Sequence, residues 1–191
     1  MKKHIKNMAI LVIHPNDRST EFLKVLYENK EVSLLTEKDG NARIKKCLKD
    51  DRFDVVMLLG HGYPRGLFAP NKNHGVIEQF GREIISSKHV DLLRKKKIIG
   101  IFCHANMFAE TYGLHGLFSG MVISEVDEAY DNCISISSRM ELIMHRQDYA
   151  ENLANLLNTK ELEEIPSEFS KLADVTNSLE MFNYNSMYYF P

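Results

Sequence analysis

Two short apolar blocks constrain the fold more than any other feature of the chain. Residues 54–62 read DVVMLLGHG and residues 97–106 read KIIGIFCHAN. Continuous runs of Val, Ile and Leu of this length are the pattern of strands buried on both faces of a parallel sheet. Each run stops at a chemically competent pair, His61-Gly62 after the first and Cys103-His104 after the second. In open α/β sheets, sites lie just beyond the carboxyl ends of the strands. Two such strands side by side would bring His61 and Cys103 out at one edge, a thiol beside an imidazole. Taken singly, a buried Cys is usually a small apolar filler and a His a structural hydrogen-bonder. The pair at matching strand ends is what carries the reading.

The rest of the chain supplies the alternation such a sheet needs. Residues 8–14 read as a first strand, closed by Pro15, and Asp17 or Ser19 as the cap of a helix presenting Phe22, Val25 and Leu26. Residues 32–36 make a second strand. The turn Asp39-Gly40-Asn41 opens a helix with Ile44, Cys47 and Leu48 on its apolar face, and residues 54–60 make the third strand. This β-α-β-α-β order with short connections implies right-handed crossovers and a mostly parallel sheet of five or six strands in a three-layer α/β/α sandwich. Residues 63–81, with Pro64, Gly66, Pro70, Asn71, Asn73 and Gly75, read as a binding loop after His61. Ser86 or Ser87 caps a helix through Val90, Leu92 and Leu93, and residues 97–102 form the fourth strand. A short helix follows over 107–111, a fifth strand over 120–124, and an acidic loop over 125–131. Ser138 to Glu141 has capping-box spacing and opens a long helix. Its expected apolar face is Met140, Ile143, Met144, Ala150, Leu153, Ala154 and Leu157. The aromatic end, 182–190, reads as a packed terminal strand or coil. One domain over 1–191 is expected, with its core at about 8–158 and a helix and aromatic tail at 161–191.

Charge and cysteine content narrow the function classes. The net charge is −2, so the global balance points neither to nucleic acid nor to an anionic membrane. The basic run 94–97 suits a solvated helix end. Three cysteines, Cys47, Cys103 and Cys133, form no disulfide framework and no CxxC pair. That favours a reducing, cytoplasmic setting and speaks against structural zinc. Residues 1–13 resemble a weak signal peptide, but the apolar stretch is too short and Asn16-Asp17-Arg18 follows. No apolar run approaches the length of a membrane-spanning helix. No Walker or GxGxxG loop is present, so no nucleotide cofactor is expected.

The order of apolar block, His-Gly, about forty residues, apolar block and Cys resembles the caspase-like cysteine peptidases, the clan of caspases, legumains, gingipains and separases. Leu58 to Gly62, then Gly66-Leu67-Phe68, and Ile99 to Cys103 carry the resemblance. The chain also resembles small bacterial proteins sharing a GHG…GLF…CHA…SGMVISE…EA pattern. The clan resemblance implies His61 as catalytic base, Cys103 as nucleophile, and the N–H groups of Gly62 and Cys103 as oxyanion hole. It implies a protein or peptide substrate, no cofactor and no metal, and leaves room for an activator or partner protein. The Gly beside the histidine would let a substrate approach the backbone, and each preset donor would supply about 2.7–4 kcal/mol. By the same resemblance, Glu125, Asp127 and Glu128 would line the pocket for the residue before the scissile bond and favour Arg or Lys there. Arg18 sits where caspases hold a substrate aspartate. The chain departs from caspases in having Ile101-Phe102 before the cysteine, where they carry Gln-Ala.

Two other readings stand beside this one. Residues 101–110 also resemble the Cys-His elbow of the DJ-1/PfpI group, a Cys-dependent hydrolase reading that needs His104 and an acid such as Glu21 or Asp17. The third is a non-catalytic α/β module that binds a small molecule or a partner.

Overall fold

A computed structural model describes residues 9–69 and 81–191. The elements in chain order are β1 (Ala9–Ile13), a 3-10 helix (Glu21–Leu26), β2 (Val32–Leu35), α1 (Asn41–Leu48) and β3 (Phe53–Leu59). Then come β4 (His61–Tyr63), β5 (Gly66–Phe68), β6 (Glu83–Ile85), a second 3-10 turn (Ser87–His89), α2 (Val90–Leu93), β7 (Lys97–Ile101) and α3 (Ala105–Tyr112). The chain closes with β8 (His115–Ser119), α4 (Val126–Asp131), α5 (Arg139–Thr159), α6 (Ile165–Ser170), α7 (Ser178–Tyr184) and β9 (Met187–Phe190).

Six strands form one sheet in the order β2-β1-β3-β7-β8-β9, and β4-β5-β6 form a small antiparallel sheet. All neighbours in the large sheet run parallel except β9, which pairs antiparallel with β8. Successive residues of a strand point to opposite faces, and the buried strands divide accordingly. Ile10, Val12, Val55, Met57, Leu59, Ile99 and Ile101 pack under the first 3-10 helix, α5, α6 and α7 through Leu23, Leu26, Tyr149, Leu153 and Phe169. Leu11, Ile13, Val56, Leu58, Ile98 and Phe118 pack under α1, α2 and α3 through Ile44, Leu48, Leu93 and Phe108. Burial on both sides is why these strands are mainly apolar. The aromatic end is a packed strand: Phe190 meets Phe118 with ring centroids 5.8 Å apart.

Four sequence expectations change. The strand after α3 is β8, five residues before the expected 120–124, which is irregular. Gly116 lies inside this strand with φ 134°, and a Cβ there would stand 1.9 Å from the Ile98 carbonyl oxygen. Only glycine lets β8 close on β7 at that point. The expected acidic loop is largely helix α4, whose N-cap Glu125 and Glu128 form a reciprocal capping box. In α5 the first turns bury Leu142, while Met140, Ile143 and Met144 are exposed. Apolar residues occur on two faces there, and the face continuous with Tyr149, Ala150 and Leu153 is the one that reaches the core. Finally, the region after His61 begins as a hairpin, β4 and β5. The remainder of that expected loop, 70–80, and the expected leader-like start, 1–8, lie outside the described residues. No helix among the described residues is long and apolar enough to cross a membrane.

Candidate active site

Three chain segments leave the carboxyl ends of neighbouring parallel strands and meet. Leu59 and Ile101 are partners at the ends of β3 and β7, and His61 and Cys103 each follow two residues later. The Gly60 N–H donates to the Ile101 carbonyl at 3.1 Å, so the strands stay joined up to the histidine. Residues 15–20, after β1, complete the edge. His61 and Cys103 line one cavity with Thr20, Phe22, Val122 and Glu128. The adjacency expected from the two apolar blocks is therefore present in the sheet.

The histidine is oriented from the loop after β1. Ser19 Oγ lies 2.7 Å from His61 Nε2, and 2.6 Å from Asp17 Oδ1, which also accepts the Ser19 N–H at 2.7 Å. The second Asp17 oxygen is 3.8 Å from Nε2. An ionised carboxylate only accepts, so the serine hydroxyl gives it its proton and receives the Nε2 proton. This network assigns the neutral ring as the Nε2–H tautomer and leaves Nδ1 free to accept. The ring also stacks on Phe68, centroids 6.0 Å apart. Burial alone would lower the His61 pKa; Asp17 overrides it through its charge and the Ser19-bridged hydrogen bonding, with Glu128 and Glu125 adding, and the net direction is up. Asp17 is held well below the usual carboxylate range, first by His61 and then by the Ser19 hydroxyl and amide.

Cys103 sits at a sharp strand-to-helix turn. Buried Ser119 fixes the strand end, its hydroxyl accepting from Phe102 N at 3.0 Å and donating to Phe102 O at 2.9 Å. His104 then adopts φ 62°, a left-handed conformation uncommon for a residue with a Cβ. Its N–H donates to Gly120 O at 3.1 Å, which ties the turn to the segment after β8. The residue keeps some solvent contact, but protein surrounds the sulfur, 3.9 Å from the Val122 carbonyl. Burial, and next the charge of Glu128, push its pKa up to about 12. At rest the group is a thiol, and its ionisation needs a base.

Other expected site residues fall differently. Gly62 borders the site in β4, but the space a Cβ would need is filled by the Phe102 ring, 2.1 Å away at Cδ2. That glycine lets the histidine strand lie against the end of β7, a packing role the sequence did not reveal. Glu128 turns into the thiol cavity rather than standing with the other two acids. Glu125 and Asp127 line a separate hollow of about 240 Å³ with Arg139 and Arg146. Arg146 lies 5.5 Å over the Phe22 ring, its Nη1 3.5 Å from the Ser19 carbonyl oxygen. Arg18 is exposed beside a different hollow, with His14, Pro15 and Lys24. His104 does not line the thiol cavity, and Glu21 is exposed and paired with Lys24 at 2.6 Å. Cys47 is half-buried on α1 against the core, and Cys133 is exposed. Among the described residues, no group of three or more His, Cys, Asp or Glu is arranged to hold a metal ion.

Sequence reasoning took Ser19 only as a helix cap and Asp17 only as a cap or as the acid of the Cys-His elbow, and missed the two as a pair oriented on His61. The signal was available: polar residues 16–19 follow β1 directly, at the same edge as His61 and Cys103. The chain matches no protein-family model and no curated protein.

Proposed function

We propose that the protein is a cysteine endopeptidase of the caspase-like kind, built as a three-layer α/β/α sandwich, that cleaves peptide bonds through Cys103 and His61. The observation that carries this reading is their meeting in one cavity past the ends of the paired strands β3 and β7, with His61 held by Ser19 through Nε2. His61 Nδ1 takes the thiol proton, and the thiolate attacks the scissile carbonyl carbon to form a tetrahedral oxyanion. The N–H groups of Gly62 and Cys103 receive that oxyanion. The imidazolium returns the proton to the leaving amine as the C–N bond breaks, leaving a thioester. Water then attacks the thioester while His61 accepts its proton, and the acid departs with the thiol restored. Asp17 steadies the imidazolium through both transfers. Protein or peptide is the substrate class; no cofactor takes part. The Cys-His elbow reading is the less supported alternative, because His104 lies off the cavity and Glu21 is engaged by Lys24.

Hydrolysis of a fluorogenic peptide library tests this. Cys103→Ala and His61→Ala each abolish turnover with the fold intact, while His104→Ala retains most of it. A dead His104→Ala beside a live His61→Ala refutes the assignment.

A further inference from the structure

The cavity lined by the thiol and the imidazole is small and partly open to solvent. Its interior volume is about 20 Å³, room for about one water molecule, so an acyl group can reach its mouth but not settle inside it. One wall is the turn entering α4, and a single side chain ties that turn. Glu128 Oε2 accepts the N–H of Ser124 at 2.7 Å, the N–H of Glu125 at 3.0 Å and the Ser124 hydroxyl at 3.2 Å. The flanks are anchored. Asn183 holds Ile123 on both backbone groups, at 2.8 and 3.0 Å, and Ala129 is buried with Leu142 and Leu179. Between these anchors the Glu128 bonds close the turn, together with the Ala129 N–H on the Glu125 carbonyl at 3.1 Å.

We propose that Glu128 is a latch on the Cys103–His61 cavity: bonded to Ser124 and Glu125 it keeps the space narrow, and its withdrawal makes room for an acyl group beside the thiol and the imidazole. The inference rests on Cys103 being the nucleophile. A capping carboxylate suits such a device because its bonds are few, local and replaceable by water when the side chain swings out. Its position has an electrostatic consequence in the same direction. A carboxylate beside the sulfur opposes thiolate formation, so opening the latch both admits a substrate and eases ionisation of the nucleophile. The pocket acid expected to grip a substrate cation thus becomes a restraint on the site itself.

Thiol reactivity tests the latch without any substrate. Wild type, Glu128→Gln and Glu128→Ala are treated with the uncharged reagent iodoacetamide at neutral pH, and each cysteine is quantified by peptide mapping. In wild type, Cys103 reacts more slowly than exposed Cys133. Glu128→Gln keeps a capping carbonyl but removes the charge, and speeds Cys103 by at least about twofold. Glu128→Ala speeds it further, and Cys133 keeps its wild-type rate as the control for folding. Wild type carries a second test that needs no variant: the Ser124 and Glu125 amides exchange hydrogen through the same local opening that limits Cys103 alkylation. A Glu128→Ala protein no faster at Cys103 than Glu128→Gln, or amides that exchange only on global unfolding while Cys103 reacts freely, overturn the latch. Failure of the peptidase reading looks different: Cys103 is then released in Glu128→Ala, yet no amide bond is ever hydrolysed.

Discussion

Gly62→Ala separates two reasons for the glycine beside the histidine. In the structure, an added Cβ would lie 2.1 Å from Phe102 Cδ2, 2.7 Å from its Cγ and 3.0 Å from the Gly66 carbonyl oxygen. Ordinary contact begins near 3.4 Å, so the ring must retreat by more than 1 Å. Phe102 is 2% exposed and packs edge-on against Phe108, centroids 6.2 Å apart, so it has nowhere to retreat. Overpacking of this kind costs about 1–3 kcal/mol, and rigid surroundings put it at the upper end, about 3 kcal/mol. For a chain of this length that lowers the unfolding midpoint by about 6–12 °C. Urea unfolding of Gly62→Ala, Phe102→Leu and the double variant measures it. Trimming the ring relieves the clash, so the double variant is more stable than the sum of the single losses, by about 1–2 kcal/mol. A Gly62→Ala protein within about 0.5 kcal/mol of wild type, but unable to turn over peptide, refutes the packing argument and restores the glycine to the substrate.

Two further predictions concern protonation. Asp17→Asn removes the group that outweighs burial at His61, so the ring pKa measured by NMR falls from above its ordinary value to below it; Ser19→Ala moves it in the same direction. His14 is buried between Tyr27 Oη at 3.1 Å and Thr20 Oγ1 at 3.2 Å, and burial, aided by Lys24, lowers its pKa from 6.5 to about 4. The unfolded chain therefore takes up this proton first as pH falls. The stability the neutral ring contributes is present above pH 6.5 and is lost between 6.5 and about 4. The loss is at most about 3–4 kcal/mol at about 1.4 kcal/mol per unit. Chemical denaturation across that window shows a shallower acid loss in His14→Gln than in wild type; equal slopes contradict it.

The parts of the fold that could be read beforehand are those where one physical pattern dominates. β1, β3 and β7 are mainly apolar because both faces are buried, and their parallel direction followed from the helices between them. From that came the neighbouring strand ends of His61 and Cys103. What was missed depends on groups far apart in sequence. Gly116 resembles a turn until the Ile98 carbonyl is seen against it. The β4–β5 hairpin is two three-residue strands around Pro64 and Arg65, too short for any alternation to register. The acidic stretch hid a helix start, although Glu125 and Glu128 have capping-box spacing. Arg139 and Arg146, which offset the acids expected to select a basic side chain, reach that hollow from α5. No local pattern foretells such a meeting.

The central claim is that Cys103 attacks a carbonyl with His61 as its base, and covalent capture tests it most directly. The protein is incubated with a pool of peptidyl acyloxymethyl ketones, and intact mass and peptide mapping locate the adduct. The account predicts a single peptidyl adduct on Cys103, absent in Cys103→Ala, much slowed in His61→Ala and unaffected in His104→Ala. Adduct on Cys133 alone, or labelling of Cys103 that survives His61→Ala and fails in His104→Ala, would contradict it.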